Sequence, residues 1–337
     1  MTFVNMEGRA LFRPSGWVGF FLAGVRTTQR SSLQLGLLVL SFLFGGDLMA
    51  QEYITAPKAG AIKPPGKEWV GKIESLAPAA ATAKPAEPRR VLVFSLTTGF
   101  KHTVAPHVKE VVKVLGEKSG AFEVEFDDDI DVFKMDNLKQ YDAVVLNNVC
   151  PNREKRDLFW DVLKDEKQAA KLEANLVDYV AGGGGLVVIH GAIAFQNNSA
   201  AVSGMVGGSF DWHPKFQSVT LDLVDPKHPL VAAFQGKGFV HQDEPYLFKN
   251  AYAEKNFRPL LEMDVTKLEQ ETLNNKVPLK EAYYVAWIKR HGNGRVFYCG
   301  PSHHPASYES PAMLAFLLDG VQYALGDLQC DDSPINP

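Results

Sequence analysis

Four histidines sit just past apolar runs. His102 closes "TTGFKH", His190 follows "GLVVI" directly, and His303 and His304 end "GRVFYCGPSHH". Imidazole titrates near neutral pH, moves protons and ligates divalent metals. Histidines gathered beyond buried strands therefore suit acid/base or metal chemistry. Two other stretches add carboxylates. "GGSFDWHP" (207–214) places Asp211, Trp212 and His213 after a glycine pair, a shape suited to a loop folded over a cleft. "HQDEPY" (241–246) packs His241, Asp243, Glu244 and Tyr246 into six residues. His190 is the most pointed case. In "GGGGLVVIHGAIAF" (182–195) a glycine-rich turn leads into a buried strand and a sharp exit, and at such exits many α/β enzymes carry a nucleophile.

Each of these residues also has a plainer reading. A histidine before proline is ordinary turn chemistry, which applies to His213, His228 and His304 and accounts for His228, since "DPKHPL" resembles the start of a helix. His291 falls in a hairpin turn and reads as solvated. His107 falls on a charged helix and reads as exposed. His102 stays open between a loop and a site, and "DEPY" is equally a charged loop. The three cysteines, Cys150, Cys299 and Cys330, show no metal or redox spacing and read as free thiols. No HExxH occurs, so ligands for a metal would have to come from separate loops.

These residues depend on the elements that carry them. "RRVLVFSL" (89–96), "YDAVVLNNV" (141–149) and "GLVVIH" read as buried strands, "FEVEFDDD" as an alternating one. "APHVKEVVKVLGEKSG", "EKRDLFWDVL" and "EKQAAKLEANLVDYVAGGGG" read as helices. Buried strands alternating with amphipathic helices predict a parallel sheet covered on both faces. Ligands of such sheets bind beyond the carboxyl ends of the strands. Further on, "SAAVSGMVGG" reads as a short helix. "QSVTLDLVD" and "RPLLEMDV" read as strands, and "AYYVAWIKR" and "GRVFYCG" as a hairpin joined by "HGNG". Trp287, inside that hairpin, reads as core. "SPAMLAFLLDGVQYALGD" is a closing helix with Ser310 as N-cap and Pro311 in its first turn.

The chain of 337 residues is 46% hydrophobic and 22% charged, with a formal net charge of -4. That fits a globular protein and shows no concentrated basic face of the kind nucleic-acid binding needs. The N-terminal stretch differs. Arg26 and Arg30, the apolar run from Leu33 to about Phe44, and the small residues before Ala50 follow the order of a secretory signal. Residues 1–50 thus read as a signal peptide or an N-terminal anchor with a start extension. Residues 51–88, rich in Ala, Pro and Lys, read as a linker, 89–328 as the folded domain and 329–337 as a tail. The expected location is periplasmic or extracellular, with a membrane tether through the N-terminal segment as an option.

Five motifs in order, "GFKH", "GGGLVVIHGA", "GGSFDWHP", "DEPY" and "GRVFYCGPSHH", resemble the trehalose-utilisation (ThuA-like) family over about residues 89–326. The resemblance implies a class I glutamine amidotransferase-like fold: a flavodoxin-like, mainly parallel sheet with helices on both faces. To this the chain adds a C-terminal β-hairpin and closing helix. In true amidotransferases the strand matching "GLVVIH" ends in a catalytic cysteine. His190 stands at that position, and Cys150 and Cys299 lie elsewhere in the sequence. Glutamine hydrolysis, which needs a thiolate, is therefore excluded. The family implies breakdown of trehalose and related disaccharides, in a context of 3-keto sugars.

The expected partner is a small-molecule carbohydrate, and the sequence does not fix the oligomeric state. Acid/base cleavage next to a sugar carbonyl needs two tunable groups. The candidates are Glu244 or His213 as base and His190 or His303 as acid. Lys101, His102, Asp211, Trp212, Asp243, Tyr246 and His304 are candidates for substrate binding. No cofactor is certain. A divalent metal such as zinc, held by histidines and a carboxylate, is one alternative, and a non-catalytic carbohydrate-binding domain is another.

Overall fold

The computed structural model describes residues 62–273 and 277–335. The expected signal or anchor at 1–50 lies outside the described residues, as does most of the first part of the expected linker. In chain order the elements are α1 (Lys67–Leu76), β1 (Arg90–Phe94), α2 (Ala105–Ser119), β2 (Glu123–Phe126), α3 (Met135–Leu138), β3 (Ala143–Asn147), α4 (Leu158–Leu163), α5 (Glu166–Ala181), β4 (Gly185–Ile189), α6 (Ala200–Val206), β5 (Ser209–Trp212), β6 (Gln217–Leu223), β7 (Phe239–Asp243), β8 (Leu247–Lys249), β9 (Arg258–Met263), β10 (Tyr283–His291), β11 (Gly294–Cys299) and α7 (Pro311–Ala324).

Nine strands form one sheet in the order β2-β1-β3-β4-β11-β10-β9-β6-β7. Its first five members run parallel, with the strand order of flavodoxin-like sheets. The other pairings, from β11–β10 to β6–β7, are antiparallel. The expected hairpin is therefore not an appendage. β11 pairs parallel with β4 and completes the flavodoxin-like half, while β10 turns the sheet into its antiparallel extension.

The continuous apolar strands follow from cover on both faces. In β1, Val91 and Val93 point to one core, which also receives side chains of α1, α2 and α7. Leu92 and Phe94 point to the other, shared with α4, α5 and α6. Caps set the helix ends. Asp157 accepts from the Trp160 N–H and starts α4 later than the run from Glu154 suggested, Asp165 starts α5, and Ser310 starts α7.

Three expectations need correction. The 51–88 segment is not all tether. Its Pro/Ala composition hides the ten-residue helix α1, where Ile73 is fully buried and Trp69 stands edge-on to His107 and donates to Glu309. That contact half-buries His107, which was expected to be exposed. "SFDW", read as loop, is the short strand β5, paired antiparallel with β8 in a separate two-stranded sheet. Among the described residues no helix is long and apolar enough to cross a membrane.

Candidate functional site

Because β1, β3, β4 and β11 run parallel, their carboxyl ends share one edge, and the loops that follow them converge there. His102 arrives after β1, Cys150 to Arg156 after β3, His190 after β4 and His303 after β11. β7 ends at Asp243, so Glu244 and Tyr246 enter from the antiparallel side, and His213 follows β5. A cavity of about 390 Å³ opens over this edge, lined among others by Phe100, His102, Cys150, Arg153, Arg156, Phe210, His213, Glu244 and Tyr246.

His190 sits on a strained elbow. Its φ is 47°, a left-handed conformation that costs a residue with a side chain about 1–2 kcal/mol. Such strain gathers at functional sites. Gly191 follows for a physical reason: a Cβ there would lie 2.3 Å from Cε1 of His102. The elbow and the His102 ring are packed directly onto each other.

At the centre His102, His190, Glu244 and His303 each offer a ligand atom, all within 4.8 Å of one another. Glu244 Oε2 is 3.0 Å from His303 Nδ1 and 3.5 Å from His190 Nε2, and those two nitrogens are 3.1 Å apart. His213 Nε2 is 3.9 Å from the same oxygen.

Hydrogen bonds to the outer nitrogens assign the tautomers. His190 Nδ1–H donates to the Gly300 carbonyl at 2.8 Å, and His213 Nδ1–H to the Pro214 carbonyl at 2.7 Å, leaving each Nε2 as a lone pair facing inward. The Cys150 thiol donates to the Gly191 carbonyl at 3.2 Å, and its sulfur lies 3.7 Å from His102 Nδ1. That contact leaves His102 Nε2 facing the Tyr246 hydroxyl at 3.4 Å. The Tyr246 ring packs against both His190 and His213, with ring centroids 4.3 and 5.2 Å away.

Burial pushes His190 below its ordinary range, and burial with the neighbouring histidine charges pushes His102 well below. Burial opposes the charge on Glu244, but the contacts with His190 and His303 overcome it and keep the carboxylate well below its usual range. Burial also pulls on His303, and Glu244 reverses that and raises it. The cluster is thus an anionic carboxylate among inward-facing lone pairs. Buried acceptors facing one another are costly unless a cation or a proton lies between them. The arrangement can hold a divalent cation, or share a proton on His303.

The structure places the remaining candidates elsewhere. Lys101 is exposed, and Asp211 points outward from β5. Trp212 is 8% exposed and packs in the core, so its face does not line the cavity. Trp287 is core, stacked on Phe257. His304 is exposed and caps the turn at Pro305–Tyr308, accepting from the Ala306 N–H. Asp243 lies behind the cluster, where its Oδ1 accepts from the N–H groups of Glu244 and His303, and burial raises it to about 7. It positions those two residues and does not line the cavity. Tyr246 lines the cavity and packs against His190 and His213. Cys150, set apart from the site in the sequence reading, lies in it. Burial pushes its thiol up to about 12, so it carries no thiolate.

The cavity residues that the sequence alone does not single out include Phe100, Asn152, Arg153, Arg156 and Phe210. "GFKH" and the residues that follow "YDAVVLNNV" stand at strand ends, which signals the loops but not which side chains turn inward.

Residues 90–324, well over half of the chain, match the model of a family described as ThuA, trehalose utilisation. Two similar solved structures are ThuA-like proteins. The one from Bacteroides uniformis ATCC 8492 is 18% identical with a TM-score of 0.53, covering 72% of this chain and 94% of that one. The one from Parabacteroides merdae ATCC 43184 is 20% identical with a TM-score of 0.51, covering 74% and 98%. At these identities the likeness is one of fold. No curated protein sequence matches the chain.

Proposed function

This chain belongs to the ThuA family, described as trehalose utilisation, and from that premise we propose that it is an enzyme of carbohydrate breakdown acting on a small sugar over a divalent-cation centre. One observation carries the reading: His102, His190, Glu244 and His303 bring four ligand atoms within 4.8 Å of one another. Three imidazoles and a carboxylate suit zinc, and the inward-facing lone pairs give a cation something to satisfy. The ion would supply Lewis-acid polarisation of a sugar oxygen.

The chain's own residues do the rest. His213 stands outside the four-residue group, with Nε2 free to accept a proton because Nδ1–H is committed to Pro214. In a 3-keto disaccharide the C–H beside the carbonyl is acidic, and its loss to a base expels the glycosidic oxygen. His213 is placed for that role. Phe100 and Phe210 offer ring surface in the cavity for a sugar face. The volume falls within the usual range for small-molecule sites, about 300–1,000 Å³. Glutamine hydrolysis has no place in the reading, with His190 on the elbow and a neutral thiol at Cys150.

A second reading keeps the residues and omits the metal. The 3.0 Å contact of Glu244 with His303 favours it: His303 protonates the leaving oxygen and His213 again takes the carbon-bound proton. Export, read from residues 26–50, belongs to the same proposal, and N-terminal sequencing of the mature protein tests it. The function is tested by incubating the protein with neutral disaccharides and their 3-keto forms, with and without divalent metals, and following products by mass spectrometry. Turnover of at least one substrate, abolished in folded His190→Ala and His213→Ala variants, is expected. Binding without conversion across the panel would leave a carbohydrate-binding domain instead.

A further inference from the structure

The cavity wall after β3 carries charge that the sugar chemistry above does not use. Arg153 and Arg156 both line the cavity, against a single lining carboxylate, Glu244, which already contacts His303 at 3.0 Å. Arg156 also borders an adjacent surface groove with four carboxylates, of which Glu154 is exposed to solvent and the other three have partners of their own. Asp157 caps α4, Glu166 pairs with Lys155, and Glu173 accepts from Gln196 and Ser199. Among the described residues Arg156 forms no ion pair.

Its backbone is held in place and strained. Arg156 has φ 54°, the left-handed region. Its carbonyl accepts from the Asn197 N–H at 2.9 Å, and the Lys155 carbonyl accepts from the Asn198 amide at 3.0 Å. A loop fastened in a costly conformation, presenting a half-buried guanidinium to a cavity, is preorganised for a ligand. Guanidinium is a planar donor fork that matches carboxylate and phosphate oxygens in pairs.

We propose that Arg156 is the specificity-determining residue for an anionic group on the substrate, so that the cavity prefers a sugar bearing a carboxylate or phosphate to its neutral parent. This rests on the reading of the cavity as a sugar site and narrows it. One charge-assisted pair predicts a preference of about 10- to 100-fold.

The test is calorimetric titration of the full chain with three probes: trehalose, trehalose 6-phosphate, and a disaccharide carrying a glucuronate ring. Tighter binding of the phosphate or the uronate, by at least tenfold over trehalose, supports the inference and says which anion is read. Arg156→Gly should remove that preference. Glycine accepts the left-handed φ, so this variant is expected to fold at least as well as the wild type. Arg156→Lys should keep part of the preference, because it keeps the charge and loses the fork. Equal binding of all three probes, or an undiminished preference in Arg156→Gly, overturns the inference and leaves the sugar-site reading intact. No binding of any probe overturns both.

Discussion

Substituting Gly191 by Ala tests the packing of the elbow most cleanly. The backbone there has no positive φ to object to alanine, and the three atoms nearest a new Cβ, at 2.3, 2.9 and 2.9 Å, all belong to the His102 ring. Ordinary contact needs about 3.4 Å or more, so the ring must yield by about 1 Å. It has little room: Cys150 Sγ stands 3.7 Å from its Nδ1, the Tyr246 hydroxyl 3.4 Å from its Nε2, and Phe100 packs edge-on. Overpacking of this kind costs about 1–3 kcal/mol. A displacement of about 1 Å at a catalytic group costs about 10²-fold in rate. The assay is urea unfolding and turnover for the wild type, Gly191→Ala, His102→Ala and the double variant. With the ring gone the methyl group fits, so the destabilisation by Gly191→Ala should vanish in the His102→Ala background, a coupling of about 1–3 kcal/mol. An equal cost in both backgrounds would show that the obstacle to the methyl group is not His102.

Two further outcomes follow from burial. Ile73→Ala in α1 should lower stability by about 2–4 kcal/mol, read from the urea midpoint, because Ile73 is fully buried; an unchanged midpoint would return residues 67–76 to a tether. Burial raises the Asp319 carboxyl in α7 to about 6, and its Oδ1 has no partner. The folded chain then holds this proton more tightly than the unfolded chain. The contribution is complete below about pH 4 and is lost as pH rises through about 6, by about 3 kcal/mol. Asp319→Asn should remove that part of the pH dependence in denaturant titrations at pH 4 and pH 7, and identical slopes for both proteins would contradict it.

The parallel half of the fold was legible because strands covered on both faces must be apolar throughout, as in "VLVF" and "GLVVI". The antiparallel extension was less so. Nothing in "GRVFYCG" says that β11 pairs with β4 as well as with β10. At the site, His190, His213, Glu244 and His303 could be found because each follows a recognisable strand or motif, and topology brings them together. Trp212 and Asp211 show the limit. Alternation decides which of two neighbours faces inward, and reading "SFDW" as a loop discarded that information. Arg156 and Cys150 were hidden for another reason. Their loop is folded back by distant partners, Asn197 and Gly191, that local sequence does not reveal. α1 was masked by composition, since one buried isoleucine makes little periodicity.

If His102, His190, Glu244 and His303 hold the divalent cation proposed above, activity depends on that ion. Elemental analysis of protein purified without a histidine tag, beside a Glu244→Gln, His303→Ala double variant confirmed to be folded, tests it directly. About one equivalent of a divalent metal per wild-type chain, and less than about a tenth of that in the variant, is the expected result. A fully active wild-type protein free of metal, or equal metal in both proteins, would contradict it.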